Sequence, residues 1–335
     1  MLKGGIIGLG IKGTGYIKLI SQDPRTEVAG IYDIDGEKVK RLAKEYNLKG
    51  FNSSREMFEK AELDFVYIGT PDFAHTEYVL EAAEYGVDIL VEKPMATELD
   101  EAKKIAKVIK EKDVKLQVAF SNRFNQPFIR ARQAIEKGEL GEILSINTRL
   151  NDTIYVPTEM LGWVDRSSPA WFLMSHTMDM ASWLKQKRAE TVYATGVKQH
   201  LVKKGIDTYD AIQASVVYED GTQGFFESQW ALPDGAPMVF DFKFDIAGTK
   251  ASISIDTQDQ MFHIIDEKSY KYRGTMDMEV NGRMLGQTAF TYQAFVDALV
   301  EGIAPSPSVE AGLENVKLLT AVHESIEKNQ IIKID

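Results

Sequence analysis

The sequence contains no cysteine among its 335 residues. Disulfide bonds, thiolate zinc sites and a cysteine nucleophile are therefore excluded, and the absence is consistent with a reducing compartment. Long apolar runs are missing too, because no segment approaches the roughly eighteen apolar residues that a transmembrane helix needs. The apolar run at the N-terminus is short and interrupted by glycine, which argues against a signal peptide. We expect a cytoplasmic protein.

Basic residues are outnumbered by acidic ones, with 39 Lys and Arg against 50 Asp and Glu and a net charge of −11. This charge opposes nucleic acid and anionic membrane surfaces, so we expect a small-molecule ligand and neither of those partners. A chain of this length exceeds what one hydrophobic core usually organises, and 44% apolar residues suffice for two cores. We predict two domains, at residues 1–122 and 123–335.

Short apolar runs alternate with amphipathic ones along the first 120 residues. This alternation is typical of βαβ units and predicts a doubly wound parallel sheet. Six segments are its predicted strands: KGGIIG, EVAGIYD, KGFN, DFVYIGT, DILVEK and KLQVAF. Longer alternating runs follow, from EILSINTRL to FKFDIAG, and they predict an α+β second domain with a large, mostly antiparallel, open-faced sheet.

A glycine motif follows the first strand: Gly8, Gly10 and Gly13 have the spacing G-x-G-x-x-G. Such glycines permit a tight turn, the approach of a pyrophosphate and close helix–strand packing, and free amides at the helix start face the phosphate. Asp33, which ends the second strand, can accept hydrogen bonds from an adenosine ribose and repel a 2′-phosphate, and the next basic residue is Lys38. The sequence therefore favours NAD over NADP. The residues of this predicted site are Gly8, Gly10, Ile11, Lys12, Gly13 and Asp33.

Two further strands of the first domain end in segments that contain proline, YIGTPDFAH and LVEKPMA. Ligands of open parallel sheets bind beyond the carboxyl ends of the strands, so both segments should face the cofactor. The bond from Lys93 to Pro94 can be cis in a tight turn and so aim the lysine. An ammonium there can stabilise an alkoxide as it forms. The predicted cofactor site thus also includes Thr70, Pro71, Glu92 and Lys93.

In order and spacing, the segments GLGIKG, YIGTPDFAH, VEKPMA, SNRFNQPF and KGELGEI resemble the Gfo/Idh/MocA family of glucose–fructose oxidoreductases, inositol dehydrogenases and rhizopine-catabolism proteins. The resemblance implies that Lys93 lines the junction of nicotinamide and substrate and that His75 lies near the cofactor. His75 has an alternative role, which is to pack or cap within a helical turn. Glu92 has one as well, which is to tether the loop. The resemblance also implies a homodimer or homotetramer formed through the open face of the second sheet.

Oxidation of a secondary alcohol by hydride transfer leaves a hydroxyl proton, which a group that titrates near neutrality can remove. Among five histidines, His176 is the candidate, since it shares one side of the helix PAWFLMSHTMDMASWLK with Phe172 and Asp179. A hydrogen-bonded core pair of His176 and Asp179 is the alternative. The resemblance implies that the histidine of a D-x-x-x-H-x-x-D pattern is catalytic.

Phe172 stands where many relatives carry the first aspartate of that pattern, which binds substrate and assists proton transfer. Three consequences remain open: His176 works with Lys93 alone, the substrate is less polar at this point, or the usual chemistry is lost. Loops near the domain entry supply further candidates, although polar residues are common on any exposed loop. The predicted substrate-binding residues are Lys93, Arg123, Asn151, Tyr155, Trp163, His176 and Asp179.

The leading hypothesis is an NAD-dependent dehydrogenase that acts on a CH–OH group of a sugar, cyclitol or related polyol and transfers a hydride to the nicotinamide ring. In it His176 takes the proton and Lys93 stabilises the alkoxide, without a metal. One alternative uses transient oxidation for glycosidase-like or lyase-like chemistry with no net redox change. The other is a non-catalytic, dinucleotide-binding sensor.

Overall fold

The computed structural model describes residues 1–258, 262–265, 267, 270–272 and 277–334. The strands are β1 (Leu2–Ile7), β2 (Thr26–Tyr32), β3 (Phe65–Ile68), β4 (Asp88–Val91), β5 (Leu116–Val118), β6 (Ile143–Thr153), β7 (Ala189–Val197), β8 (Ala211–Tyr218), β9 (Gln223–Leu232), β10 (Phe240–Gly248), β11 (Ser252–Asp256), β12 (His263–Ile265), β13 (Tyr270–Tyr272), β14 (Asp277–Val280), β15 (Arg283–Gly286) and β16 (Ile332–Lys333). The helices are α1 (Ile11–Gln22), α2 (Gly36–Tyr46), α3 (Ser54–Lys60), α4 (His75–Glu84), α5 (Leu99–Lys112), α6 (Gln126–Glu136), α7 (Ser175–Lys185), α8 (Gln287–Glu301) and α9 (Val309–Lys328). Within these described ranges, no helix is long and apolar enough to cross a membrane.

The chain forms two compact units, the first from Met1–Ser121 and Asp277–Glu314, the second from the described residues of Asn122–Met276 and Asn315–Asp335. The chain therefore returns to the first unit after its predicted end at residue 122. Helix α8 explains the return, because its apolar side packs into the core of the first unit, where Phe295 contacts Phe65 with ring centroids 5.7 Å apart. The amphipathic pattern of α8 predicts a buried side but does not indicate which core that side joins.

The first unit contains the predicted parallel sheet, in the order β2-β1-β3-β4-β5. Strand β3 is fully buried, as expected for a parallel strand covered on both faces. Of the six predicted strands, KGFN is wrong, since it contributes a single bridge from Gly50 to Ile31. The segment is too short for a strand because Asn47, in a left-handed conformation, caps the end of α2 and Ser53 already caps the start of α3.

The second unit contains a seven-stranded sheet in the order β11-β10-β6-β9-β8-β7-β16. Only the pairing of β6 with β9 is parallel, so the prediction of a mostly antiparallel sheet is confirmed. One face carries Ile146, Phe226 and Trp230 and shares a core with α7 and the later turns of α9. We call the other face the open face; it lines a shallow cavity of about 440 Å³ with side chains that include Arg149, Glu227, Tyr193, Gln213 and Phe225.

Candidate active site

The glycine loop after β1 has the geometry of a phosphate cradle. Gly8 has φ +87°, and a Cβ atom there would lie 2.6 Å from the Gly69 carbonyl group. A Cβ atom on Gly13 would lie 1.9 Å from the Gly8 oxygen, whereas none of the described atoms lies within 4 Å of the corresponding position on Gly10. The first and third glycines are thus required by the fold, and the second leaves room for a ligand. Helix α1 starts here without a side-chain cap or an acidic first turn, so its amides suit an anion.

Asp33 lies just beyond β2 and is held by the backbone. The Leu9 amide donates to Oδ2 at 2.7 Å and the Asp35 amide to Oδ1 at 2.9 Å. Two apolar side chains, Ile11 at the start of α1 and Ile34 on the loop after β2, are 78% and 84% exposed, which suits the apolar faces of an adenine ring. These residues fit a dinucleotide. Lys12 points elsewhere, with Nζ 3.4 Å from Thr288 Oγ1.

His75 joins the two predicted cofactor segments that follow β3 and β4. Its ring is fully buried, with Nδ1 2.7 Å from the Pro94 carbonyl oxygen and Nε2 2.9 Å from that of Thr70. The Thr70 hydroxyl is buried with no hydrogen-bond partner among the described residues, which leaves a donor for a ligand beside Pro71. The bond between Lys93 and Pro94 is cis. The contacts of His75 match the packing alternative, and its contact with the cofactor stays a prediction.

Glu92 is anchored beneath the same loop. Its carboxylate accepts a hydrogen bond from the Tyr67 hydroxyl at 3.0 Å, and the Tyr67 ring stacks on Tyr16 with centroids 3.6 Å apart. Burial raises the pKa of Tyr67, so the phenol remains a donor. The tether considered for Glu92 therefore has a visible partner. Tyr67 escapes sequence reasoning because its apolar neighbours predict only a buried strand.

The helix that carries His176 begins with a π-helical turn at Ala170–Met174 and continues as α7. Isolated π turns within helices are common at functional sites. One local and one distant side chain fix its first turns: Ser168 Oγ, three residues earlier, accepts from the Trp171 amide at 3.2 Å, and the distant Asn315 Nδ2 donates to the Ser175 carbonyl at 2.9 Å. The side chain of His176 is half-buried.

Phe172 belongs to an aromatic cluster, with its ring centroid 6.1 Å from that of Trp163 and 6.0 Å from that of Trp230. We call these three residues the aromatic cluster. Trp230 is fully buried and its Nε1 has no hydrogen-bond partner in the described part of the chain. Where the resemblance implies a carboxylate, this chain thus has aromatic rings and the buried indole N–H of Trp230.

Asn122, which sequence analysis overlooked, lies beside His176. Its Nδ2 is 3.3 Å from Nδ1 of the imidazole. With the amide nitrogen donating, the neutral ring carries its proton on Nε2. With the amide turned over, Oδ1 accepts Nδ1–H and the lone pair is on Nε2. The second arrangement is the one in which Nε2 can act as a base. The only sequence signal is that Asn122 adjoins Arg123 in SNRF.

Arg123 and Asp179, both predicted to bind substrate, bind each other. Nε and Nη2 of the guanidinium donate to the two carboxylate oxygens at 2.9 and 2.6 Å. Burial raises the pKa of Asp179, and the charge of Arg123 opposes that rise. The alternative predicted for Asp179 is a core pair with His176, whereas its partner in the structure is Arg123. The ion pair links the turn at Ser121–Phe124 to α7. Direct contact of either residue with substrate stays a prediction.

The remaining candidates lie in different places. Asn151 is on the open face, where Nδ2 donates to Glu227 Oε1 at 2.9 Å, and so points away from the face that α7 covers. Tyr155 is partly exposed, and its amide donates to Asp234 at 3.0 Å. Asn151 thus lies in strand β6 and not on the predicted loop. Trp163 contacts Phe172, four residues before His176, with ring centroids 6.1 Å apart. The described residues contain no group of three or more His, Asp or Glu side chains arranged to hold a metal ion.

The glycine loop after β1, the backbone-held carboxylate of Asp33 and the parallel sheet define the class of a dinucleotide-binding enzyme. Family models identify which one: the NAD-binding Rossmann fold of Gfo/Idh/MocA oxidoreductases matches residues 2–120, and the C-terminal α/β domain of the same family matches residues 132–334. The chain belongs to this oxidoreductase family, as the resemblance indicates. Its cofactor is NAD.

Individual relatives match along most of the chain. The scyllo-inositol 2-dehydrogenase (NAD(+)) of Bacillus subtilis is 25% identical over 338 residues, which cover 98% of this chain and 95% of the relative. The 2,7-anhydro-N-acetylneuraminate hydratase of Escherichia coli is 24% identical over 84% of this chain and 78% of its own. The crystal structure of scyllo-inositol dehydrogenase from Lactobacillus casei with NAD(H) and scyllo-inositol is 21% identical, covers 100% and 99% of the two chains and superposes with a TM-score of 0.85.

Proposed function

We propose that this protein oxidises one hydroxyl-bearing carbon of a cyclitol, sugar or related polyol with NAD. The observation that carries the proposal is the match of both domains, over 98% of the chain, to a relative named as an NAD-dependent scyllo-inositol 2-dehydrogenase. The dinucleotide cradle at Gly8–Gly13 and the carboxylate of Asp33 support it independently. We propose the cytoplasm as its location.

Each chemical task has a candidate residue. When bound, NAD supplies the hydride acceptor for the carbon-bound hydrogen. His176 takes the hydroxyl proton, and Asn122 orients its ring. Lys93, at the carboxyl end of the strand segment that begins with β4, stabilises the alkoxide as it forms. Arg123 holds Asp179 and thereby braces the helix of His176, so its effect on catalysis is indirect.

The aromatic cluster sets the kind of substrate that we propose. The half-buried rings of Phe172 and Trp163, packed with the buried Trp230, favour contact with the C–H faces of a carbohydrate over hydrogen bonds to an additional hydroxyl. We therefore propose a substrate that is less polar next to the reacting carbon than an inositol.

Redox-neutral chemistry is the second candidate function. A hydratase among the relatives and the absence of an aspartate at position 172 both favour it. In that case substrate would be consumed with no net change in NADH. Binding of NAD without any turnover would point instead to the sensor.

The test incubates the protein with NAD and a panel of cyclitols, sugars and anhydrosugars, and follows NADH absorbance and substrate consumption together. NADH formed in step with substrate loss supports the proposal. Substrate loss without NADH contradicts it and favours redox-neutral chemistry.

Replacement of Lys93 by methionine tests its role in the same assay. We expect turnover to fall by roughly a hundredfold or more, the scale of one lost electrostatic stabiliser. The dissociation constant of NADH should stay within a few fold, because methionine keeps the shape of the lysine stem. Lys107→Met, at a 73% exposed lysine on α5 of the first unit, should leave turnover within a few fold. Unchanged turnover in Lys93→Met would remove the lysine from the mechanism.

We also propose that the protein forms a homodimer or homotetramer through the open face of the second sheet. Phe225 and Tyr193 are 48% and 41% exposed on that face, beside the charged side chains of Arg149 and Glu227. Large apolar side chains gathered on one exposed sheet face are characteristic of a contact surface.

A further inference from the structure

We propose that Lys38 sets how strongly this protein discriminates between NAD and NADP, and that it allows NADP to bind as a weaker alternative cofactor. Lys38 lies in α2, and its Nζ is 3.3 Å from Oδ2 and 3.4 Å from Oδ1 of Asp33. The five positions that separate Lys38 from Asp33 in the sequence do not by themselves predict this contact. The inference concerns the cofactor and does not depend on which substrate is oxidised.

Discrimination against NADP depends on the negative charge of Asp33, which repels a 2′-phosphate. That charge is already engaged on several sides. Each carboxylate oxygen accepts one backbone amide, from Leu9 and from Asp35, and Lys38 lies near both oxygens. An ammonium at this distance offsets much of the repulsion that a solitary carboxylate would exert. Asp33 can therefore still accept a hydrogen bond from a ribose hydroxyl, but it repels a 2′-phosphate less strongly than an unpaired carboxylate would.

Lys38 is also placed to contact the phosphate. Its side chain is 31% exposed and Asp33 only 9%, so the ammonium lies on the solvent side of the ion pair. A lysine is a flexible point charge that can turn from one anion to another. When a 2′-phosphate lies near Asp33, the Lys38 ammonium can turn from the carboxylate to the phosphate and donate a charge-assisted hydrogen bond to it. Because Asp33 keeps its charge, NAD should still bind more tightly.

The experiment measures dissociation constants of NADH and NADPH by fluorescence titration of the full chain without substrate. Lys38→Met is compared with Lys40→Met, a matched control on the same helix whose side chain is 75% exposed and pairs with Glu37 at 2.8 Å. The unmodified protein should bind NADPH roughly tenfold more weakly than NADH. Lys38→Met should weaken NADPH by about another tenfold, the scale of one charge-assisted hydrogen bond, with NADH within threefold. Lys40→Met should alter neither.

Three results would overturn the proposal: a ratio of the two constants in Lys38→Met within threefold of the parent ratio, an equal shift in Lys40→Met, or no NADPH binding by the unmodified protein. Lys38→Arg provides a second arm, because its guanidinium can still bind phosphate, and it should keep NADPH affinity within threefold. Weakening as severe as in Lys38→Met would count against the charge argument. Thermal melting checks that each variant is folded. A protein that binds NADH but oxidises no polyol would contradict the proposed reaction and leave this inference intact.

Discussion

A histidine that removes a hydroxyl proton must be neutral. If His176 has this role, the rate of oxidation should therefore increase as the pH rises. We expect kcat/KM for oxidation to rise with pH through the range in which an ordinary histidine titrates, which is centred at about pH 6.5. His176→Ala should abolish this limb and lower kcat/KM by roughly 10² to 10⁴. The pH–rate profiles of variant and parent, measured side by side, provide the check.

His200→Ala is the matched control for His176. His200 is an exposed histidine of the second unit, and its hydrogen bond to Asp210 uses the backbone amide and not the imidazole. The control should therefore keep both the limb and the rate. If His176→Ala kept them as well, the base would lie elsewhere, with Lys93 and Asp179 as the next candidates.

Phe172 gives a second prediction, because the aromatic cluster can be made polar by one substitution. Phe172→Asp should raise kcat/KM for a polyol relative to its deoxy analogue, by up to about tenfold, since a carboxylate can accept one additional hydroxyl. Removing the ring from the cluster should also destabilise the fold by about 2–4 kcal/mol. Phe172→Leu, which stays apolar, is the control. If both variants had the same substrate ratio, position 172 would have no role in selecting polarity.

At the scale of elements, the predictable part of the site comes from local patterns. The glycine spacing and the EKP segment place Gly8 and Lys93 at the ends of β1 and of the segment that begins with β4, as expected. What could not be predicted are pairings between distant residues: Tyr67 with Glu92, and Asn315 with Ser175, which are 140 positions apart. Hydropathy periodicity reports which side of an element is buried, but it carries no information about the partner that covers that side.

The connection between β7 and β8 depends on one carboxylate. Asp210 accepts the backbone amides of Gln199, His200 and Leu201 at 2.5, 2.8 and 2.7 Å. Burial acts to raise the pKa of Asp210, but the three amides outweigh it and lower the pKa. The pKa of Asp210 in the folded protein lies below its value in the unfolded chain, which is about 3.9. The stability that Asp210 contributes is therefore present above about pH 3.9 and is lost as the pH falls toward the folded pKa.

Asp210→Asn should lower the free energy of unfolding at pH 7 by about 1–3 kcal/mol, since a neutral amide replaces an ion that accepts three donors. Its stability should also decline less than that of the parent between pH 6 and 3. Denaturant titrations at several pH values measure both effects. Asp207→Asn, in the same connection but exposed and paired with Lys198, should change stability by under about 0.5 kcal/mol. Equal losses in the two variants would contradict the role of the amide cluster.

At the scale of the whole molecule, the division into units could be predicted only in part. Composition and the change from alternating helices and strands to longer strands predict two cores, and the chain forms two compact units. The return of the chain at Asp277–Glu314 has no sequence signature, because an amphipathic helix such as α8 suits either core. Pairing choices such as the parallel contact of β6 with β9, within a sheet that is otherwise antiparallel, depend in the same way on the completed sheet.

The open face of the second sheet determines the assembly that we expect in solution. If two copies pair through it, each substitution acts twice, because a two-fold interface presents the same residue from both copies. Phe225→Lys should therefore weaken association on the order of 10²- to 10³-fold, as expected when a central aromatic ring is removed from both copies at once. Light scattering during size-exclusion chromatography over a range of concentrations should show that Phe225→Lys forms smaller assemblies than the parent does at the same concentration.

Phe290→Lys is the control, since Phe290 is similarly exposed but lies on α8 in the first unit, and it should leave the mass unchanged. A mass unaffected by Phe225→Lys, or an unmodified protein that is monomeric throughout, would show that the open face is not an interface between copies.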